Sequence, residues 1–283
     1  MLWQFNCRVV HESAGGMVST LRQQKTKEQK HQENLKRLRS FRLFDDTYMT
    51  RFFADNIPCT EFVLRILMNK PDLQVEKTQS QVTIKHLEGR SVRLDVYATD
   101  SQGKKYDIEV QRSDSGAEPH RARYNSSMID VDNLHAGEDF DELPDSYVIF
   151  ITENDIWGQG VPIYQIERMN LTTGKTFNDG SHILYVNGMY RDESDIGKLM
   201  HDFSCSNPVD MHFKILAERA SFFKEKEEGV AQMCRVMDEL KKEVRYEIAI
   251  KMLNDKNMTD EKISEFTGIA IEEIQELRKE LHS

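Results

Sequence analysis

The sequence predicts an α/β chain with a helical C-terminal third, on three observations. Val92–Gln111 reads as a strand pair around a central glycine, Tyr147–Thr152 is an unbroken apolar run of strand length, and helical periodicity dominates after Ser194. A run apolar at every position is the mark of a central strand buried on both faces. The composition agrees: 283 residues with 39% hydrophobic and 30% charged side chains can fill one large core and keep a wet surface.

The strand pair organises the reading. Side chains alternate faces along a strand. Val92, Leu94, Val96 and Ala98 are therefore assigned to one face, with Arg93, Asp95 and Tyr97 opposite. In the second strand Tyr106, Ile108 and Val110 form the apolar face against Asp107, Glu109 and Gln111. Pairing brings Asp95 and Glu109 to one polar surface, where two carboxylates can hold a hard divalent cation. The same alternation also describes a half-buried sheet with a solvated face, and the pattern alone leaves both readings open.

The remaining elements follow in order. Residues 1–40 form a basic N-terminal extension, expected to be flexible. Arg22 to Arg42 holds eight Lys or Arg against Glu28 and Glu33, and Leu35 and Leu38 are too few for a buried face. Phe41, Phe44, Tyr48 and Phe52 give a core-facing stripe on a helix from Phe41 to Asn56, stopped by Pro58. A second helix opens at Cys59 or Thr60 and runs to Asn69. Leu73–Lys77 and Gln81–His86 read as two short strands. Beyond the strand pair, Glu118–Asn133 is a helix with Pro119 in its first turn. Strands are expected at Val161–Arg168 and His182–Val186, then helices at Ser194–Phe203, Val209–Lys226 and Val230–Asn254. The end reads as helix, Gly268 turn, helix, with Ile263, Phe266, Ile269, Ile274 and Leu277 as its core. Four glutamates on its second helix argue against DNA reading and for packing. The expected organisation is an extension over 1–40, a core over 41–205, long helices over 206–256 and a small tail over 257–283.

Net charge of −10 speaks against wholesale wrapping of nucleic acid, although phosphate contacts can be local. No apolar run approaches the ~20 residues of a membrane span, and the first residues lack a signal-peptide pattern, so a cytoplasmic chain with no membrane partner is expected. Four scattered cysteines without a Cys-x-x-Cys pair read as reduced thiols. His201, Cys205 and His212 lack the pairing of a zinc knuckle and are not read as a zinc site.

Six segments in one order are similar to a known family: Arg-Ser-Val-Arg-Leu-Asp-Val-Tyr-Ala from Arg90, Tyr-Asp-Ile-Glu-Val-Gln-Arg from Tyr106, His-Arg-Ala-Arg-Tyr-Asn-Ser-Ser from His120, Tyr-Val-Ile-Phe-Ile-Thr-Glu-Asn-Asp from Tyr147, Gly-Ser-His-Ile-Leu-Tyr-Val-Asn-Gly from Gly180, and Ile-Gly-Lys-Leu-Met-His-Asp-Phe from Ile196. Over about Phe41–Phe203 the chain resembles the PD-(D/E)XK nuclease-family transposases, also called the Rpn family for recombination-promoting nuclease. The resemblance implies a restriction-endonuclease-like mixed central sheet flanked by helices. It implies Asp95 and Glu109 as metal ligands with the backbone carbonyl of Val110, Mg²⁺ (or Mn²⁺) as cofactor, and DNA as partner. Gln111 stands where the superfamily motif has lysine; its amide can orient water or a phosphate oxygen but carries no charge. Asp46, with Asp45 behind it, is the matching acidic residue of the first core helix. Arg121, Arg123 and Arg112 are candidates for gripping phosphate. The function implied is a metal-dependent DNA endonuclease linked to mobile elements or recombination. Cutting both strands calls for two active sites, and the long C-terminal helices are the expected means of pairing two subunits. The alternative is a weakly active or inactive nuclease-fold protein that works by binding DNA or protein in regulation or phage defence.

Overall fold

The computed structural model describes residues 27–86, 89–112, 116–255 and 258–281. Most of the basic extension, residues 1–26, lies outside the described residues. The elements in order are α1 (Lys27–Ser40), α2 (Asp46–Phe53), α3 (Ile57–Leu67), β1 (Val75–Ile84), β2 (Val92–Asp100), β3 (Lys105–Gln111), α4 (Pro119–Asn133), β4 (Ser146–Thr152), β5 (Ile163–Ile166), β6 (Met169–Asn170), β7 (Lys175–Thr176), β8 (Ser181–Asn187), α5 (Asp195–Ser204), α6 (Lys214–Glu225), α7 (Glu227–Leu253), α8 (Asp260–Thr267) and α9 (Ile271–Leu281).

Six strands form one mixed sheet in the order β1-β2-β3-β4-β8-β5, and β6 and β7 make a separate two-stranded ribbon. β1, β2 and β3 pair antiparallel, β3, β4 and β8 run parallel, and β5 closes the edge antiparallel to β8. Every residue of β4 is buried, as its unbroken apolar run requires of a central strand. Its alternation separates two cores. Tyr147, Ile149 and Ile151 join the larger one, with α2, α3, α5 and α6. Val148 and Phe150 join the smaller one, under α4. The result is a mixed sheet flanked by helices, with a helical C-terminal stretch, as expected.

Local chemistry explains several boundaries. Pro58 does not stop α2 but sits in the first turn of α3, where its missing N–H costs nothing; the Asn56 side chain caps that helix by accepting the N–H of Cys59 at 3.3 Å. The first helix is accordingly shorter than its periodicity predicts, beginning at Asp46, yet Phe44, Tyr48 and Phe52 are all buried. The two expected strands before the hairpin are one continuous strand, β1, with a bulge between Val75 and Lys77. α1 has a buried face after all. α7 lies across it, so that Leu38 enters the main core and Asn34 donates to Asp238 at 3.2 Å. α6 and the first part of α7 share that core through Leu216, Phe223, Met233 and Met237.

The tail folds as read, with Gly268 in the left-handed conformation (φ 69°) that a helix C-terminus favours. Its core differs in one residue. Ile263, Ile269 and Ile274 are buried against Ala249 and Leu253 of α7, whereas Phe266 is 62% exposed. α7 supplies the missing apolar surface on the other side of α8, which leaves Phe266 outside.

Candidate metal and nucleic-acid site

β2 and β3 pair only from Val96↔Ile108 to Thr99↔Lys105; above Val96 the ladder opens. Across the opening, side chains replace backbone partners. Glu109 Oε1 accepts the N–H of Asp95 at 3.3 Å, and Asp95 Oδ2 accepts the N–H of Val110 at 3.4 Å. On the outer side Gln81, close to Asp95 in β1, adopts φ 55° and donates to Thr50 at 2.9 Å and to Asp95 at 3.4 Å. The strict alternation predicted for β2 fails here. Val92 and Leu94 pack in the α4-side core with Tyr97, while Val96 and Ala98 pack on the opposite side. The open ladder is the physical reason: a strand released from one neighbour can turn its side chains over.

The polar face of β3 is not solvated. Asp107 and Glu109 are both fully buried, because α4 docks over them with Asn125 and Arg121 on its inner face. Asn125 Nδ2 donates to Asp107 Oδ2 at 3.1 Å, and Asp107 Oδ1 makes no hydrogen bond among the described residues. Arg121 pairs with Glu109 Oε2, donates to the Gly116 carbonyl at 2.8 Å and lies over the Phe150 ring. Gln111 Nε2 approaches the same Glu109 oxygen at 3.5 Å, at the edge of hydrogen bonding. Gly116, beside Gln111, has φ 122°, a conformation only glycine adopts without strain.

Electrostatics follow from this crowding. Burial, then the charges of Glu109 and Asp46, push the Asp95 carboxyl up to about 7. Burial, then Glu109, raises Asp107 well above the carboxylate range. Burial also raises Glu109, against the opposing pull of Arg121. Three acids that resist ionising beside one another are an oxygen-only donor set that a divalent cation would relieve. Hard oxygens at this density suit Mg²⁺ or Mn²⁺, and the unpartnered Asp107 oxygen fits the same need for positive charge.

The cluster opens into a cleft of about 1260 Å³ lined by Asp46, Asp95, Gln111, Arg112, Arg121 and Arg123, and also by Arg90, Arg93 and His120. Asp46 is exposed at the start of α2, on the same cleft as Asp95. Asp45 faces elsewhere and accepts Arg112 at 2.8 Å and the N–H of Arg42 at 2.7 Å. Arg112 also reaches Glu153 at 3.5 Å, which Arg42 holds at 2.7 Å. Arg123 is exposed on the cleft wall. Of the candidate residues, Asp46, Asp95, Val110, Gln111, Arg112, Arg121 and Arg123 line this opening, and Glu109 is fully buried behind it, paired with Arg121.

Sequence reasoning missed Arg90, Arg93, Asn125 and the burial of Asp107. The available signal was the clustering of Arg90, Arg93, Arg121 and Arg123 on segments flanking the acidic pair in a chain of net charge −10.

No curated protein and no solved structure matches the chain. Residues 60–195, from within α3 through the whole sheet to the first residue of α5, match the model of the family described as PD-(D/E)XK nuclease family transposase.

Proposed function

We propose that this protein is a metal-dependent DNA endonuclease, hydrolysing phosphodiester bonds in a mobile-element or recombination-linked setting. The observation that carries the reading is the opened ladder between β2 and β3. It sets Asp95, on the wall of an arginine-lined cleft, against Glu109 buried behind it. Asp95, Glu109 and the carbonyl of Val110 would hold Mg²⁺ (or Mn²⁺), with Asp46 close enough to add charge. Such an ion lowers the pKa of bound water and neutralises charge on a scissile phosphate.

The chain's own groups supply positioning. Arg123, Arg90 and Arg93 offer guanidinium forks to phosphate oxygens, a sequence-independent grip that keeps DNA contact local on an acidic protein. Arg121 and Arg112 line the same cleft and join that grip where they turn from their carboxylates to phosphate. Gln111 has no charge to give, so its amide orients a water or phosphate oxygen rather than taking a proton. Asn125 holds Asp107, whose buried carboxyl backs Glu109.

Three further elements belong to this reading. Residues 41–205 act as the nuclease core, 206–256 as its helical frame and 257–283 as a small appended tail. The protein works in the cytoplasm, consistent with the free thiols of Cys59, Cys205 and Cys234 and with no helix among the described residues long and apolar enough to cross a membrane. It acts as a homodimer through its C-terminal helices.

The test is supercoiled plasmid incubated with the purified protein. Nicking or cutting with Mg²⁺ or Mn²⁺, its loss in EDTA, and a loss of at least ~10²-fold in Asp95→Ala and Glu109→Ala are expected. Undiminished cutting by both variants would overturn the assignment. A second reading is favoured by Gln111 at the motif's lysine position: a nuclease-fold protein acting by DNA or protein binding in regulation or phage defence. Tight DNA binding without metal, and no cleavage of any duplex or single strand by the wild type, would select it.

A further inference from the structure

Away from the cleft, the last turn of α5 and the loop before α6 bring two imidazoles onto a buried carboxylate. We propose that His201, Asp202 and His212 form a second metal site, one that takes a first-row divalent transition ion such as Zn²⁺.

The ligand atoms of the three side chains all lie within 4.8 Å of one another. His201 Nδ1 is 3.2 Å from Asp202 Oδ1, and the two imidazole rings stand edge to face with centroids 4.6 Å apart. Two donors on one tetrahedral ion, with bonds of ~2.0–2.2 Å, are separated by roughly 3.3–3.6 Å. Small rotations of the exposed His212 side chain are enough to bring the set to that spacing.

The carboxylate is prepared for the role. Asp202 is fully buried, and its two oxygens accept the N–H groups of His212 at 2.8 Å and Phe213 at 2.9 Å. Those bonds fix the plane of the carboxylate and leave each oxygen a further lone pair. Ligands of structural and catalytic ions are oriented by such outer hydrogen bonds. The His201 and Asp202 positions are held from below, since Leu199, Met200 and Phe203 of the same helix enter the main core.

The trio His201, Cys205 and His212, set aside on its spacing, does not come together. Cys205 Sγ is engaged by the carbonyl of Asn207 at 3.1 Å and stands outside the set, while Asp202 takes its place. Two imidazoles and a carboxylate favour Zn²⁺, Co²⁺ or Ni²⁺ over Mg²⁺, whereas the oxygen-only cluster around Asp95 favours the reverse. The two sites therefore select different ions. An ion at the second would clip the loop between α5 and α6 to the sheet-bearing core, at the point where the chain passes into its C-terminal helices.

The experiment uses the full chain carrying Asp95→Asn and Glu109→Gln, stripped with EDTA and titrated with Co²⁺. Saturable binding with visible d–d absorption is expected, displaced by Zn²⁺ and not by excess Mg²⁺. Adding His212→Ala should weaken Co²⁺ binding by about tenfold or more and abolish the rise in Tm that Zn²⁺ gives. His212 is exposed, so this variant folds; Asp202, which holds the loop, is not the residue to change. No saturable Co²⁺ spectrum, or binding unchanged by His212→Ala and His201→Ala, would overturn the proposal and leave a hydrogen-bonded loop anchor. Because Asp95 and Glu109 are already neutralised, neither outcome depends on whether the protein cuts DNA.

Discussion

Burial takes Asp95 out of water, and Glu109 and Asp46 add their negative charge, so its carboxyl titrates near 7 rather than near the ~3.9 of a free side chain. A raised acid binds more protons in the folded than in the unfolded state between those two values. Its contribution to stability is present in full below about 4 and is lost as pH rises towards 7. In metal-free buffer Asp95→Asn should therefore stabilise the protein at pH 8, by about 1–3 kcal/mol in urea unfolding, and do little at pH 4. Saturating Mg²⁺ should stabilise the wild type and not the variant. Equal midpoints for the two proteins at pH 8 in EDTA would remove the claimed repulsion. The pairing of two acid-bearing strands was legible enough to bring Asp95 near Glu109, although the face reversal of β2 at Asp95 was not. The state of Asp107 was not: alternation assigns it to a polar face, and only the docking of α4, with Asn125 and Arg121 turned inward, makes that face dry.

At the scale of elements, caps and punctuation were legible where a side chain acts on its own backbone. Gly268 ends α8, and the start of α4 at Pro119 follows from its ring. What depends on a distant partner was not legible: the continuity of β1, the face reversal at Asp95 and the exposure of Phe266. The junction of β4 and β8 is another such place. Gly188 donates to the Thr152 carbonyl at 2.7 Å, and a Cβ there would meet that oxygen at 2.4 Å and Phe44 Cζ at 2.5 Å. Phe44 is buried and also borders the cleft. Gly188→Ala must part the strand ends or displace Phe44, at a cost of about 1–3 kcal/mol. Thermal unfolding should show a Tm lower by several degrees, and an unchanged Tm would mean the strand ends part freely.

The cleft at Asp95 lies on an acidic chain, and such a cleft addresses one strand at a time. Two-strand cutting calls for two clefts, which a twofold dimer supplies. α7 offers the surface. Leu240, Val244 and Ile248 recur every fourth residue and are 36%, 51% and 45% exposed, while Met233 and Met237 earlier on the helix are buried. Successive fourth residues share one helix face, so these three form an apolar strip rather than scattered exposures. The neighbouring charges are mixed, with Lys241, Lys242 and Arg245 among Glu239, Glu243 and Glu247, so two antiparallel copies crossing at Val244 can set acid against base. Light scattering after gel filtration should give twice the 33.1 kDa chain mass for the wild type. Val244→Glu, which buries a carboxylate against its own copy, should give the monomer mass with an unchanged far-ultraviolet spectrum. The monomer keeps its carboxylates and arginines, so it should still nick plasmid in Mg²⁺ but yield far less linear product. A wild type that is monomeric at the concentrations that linearise plasmid would place the second cut in a second encounter rather than in a paired active site.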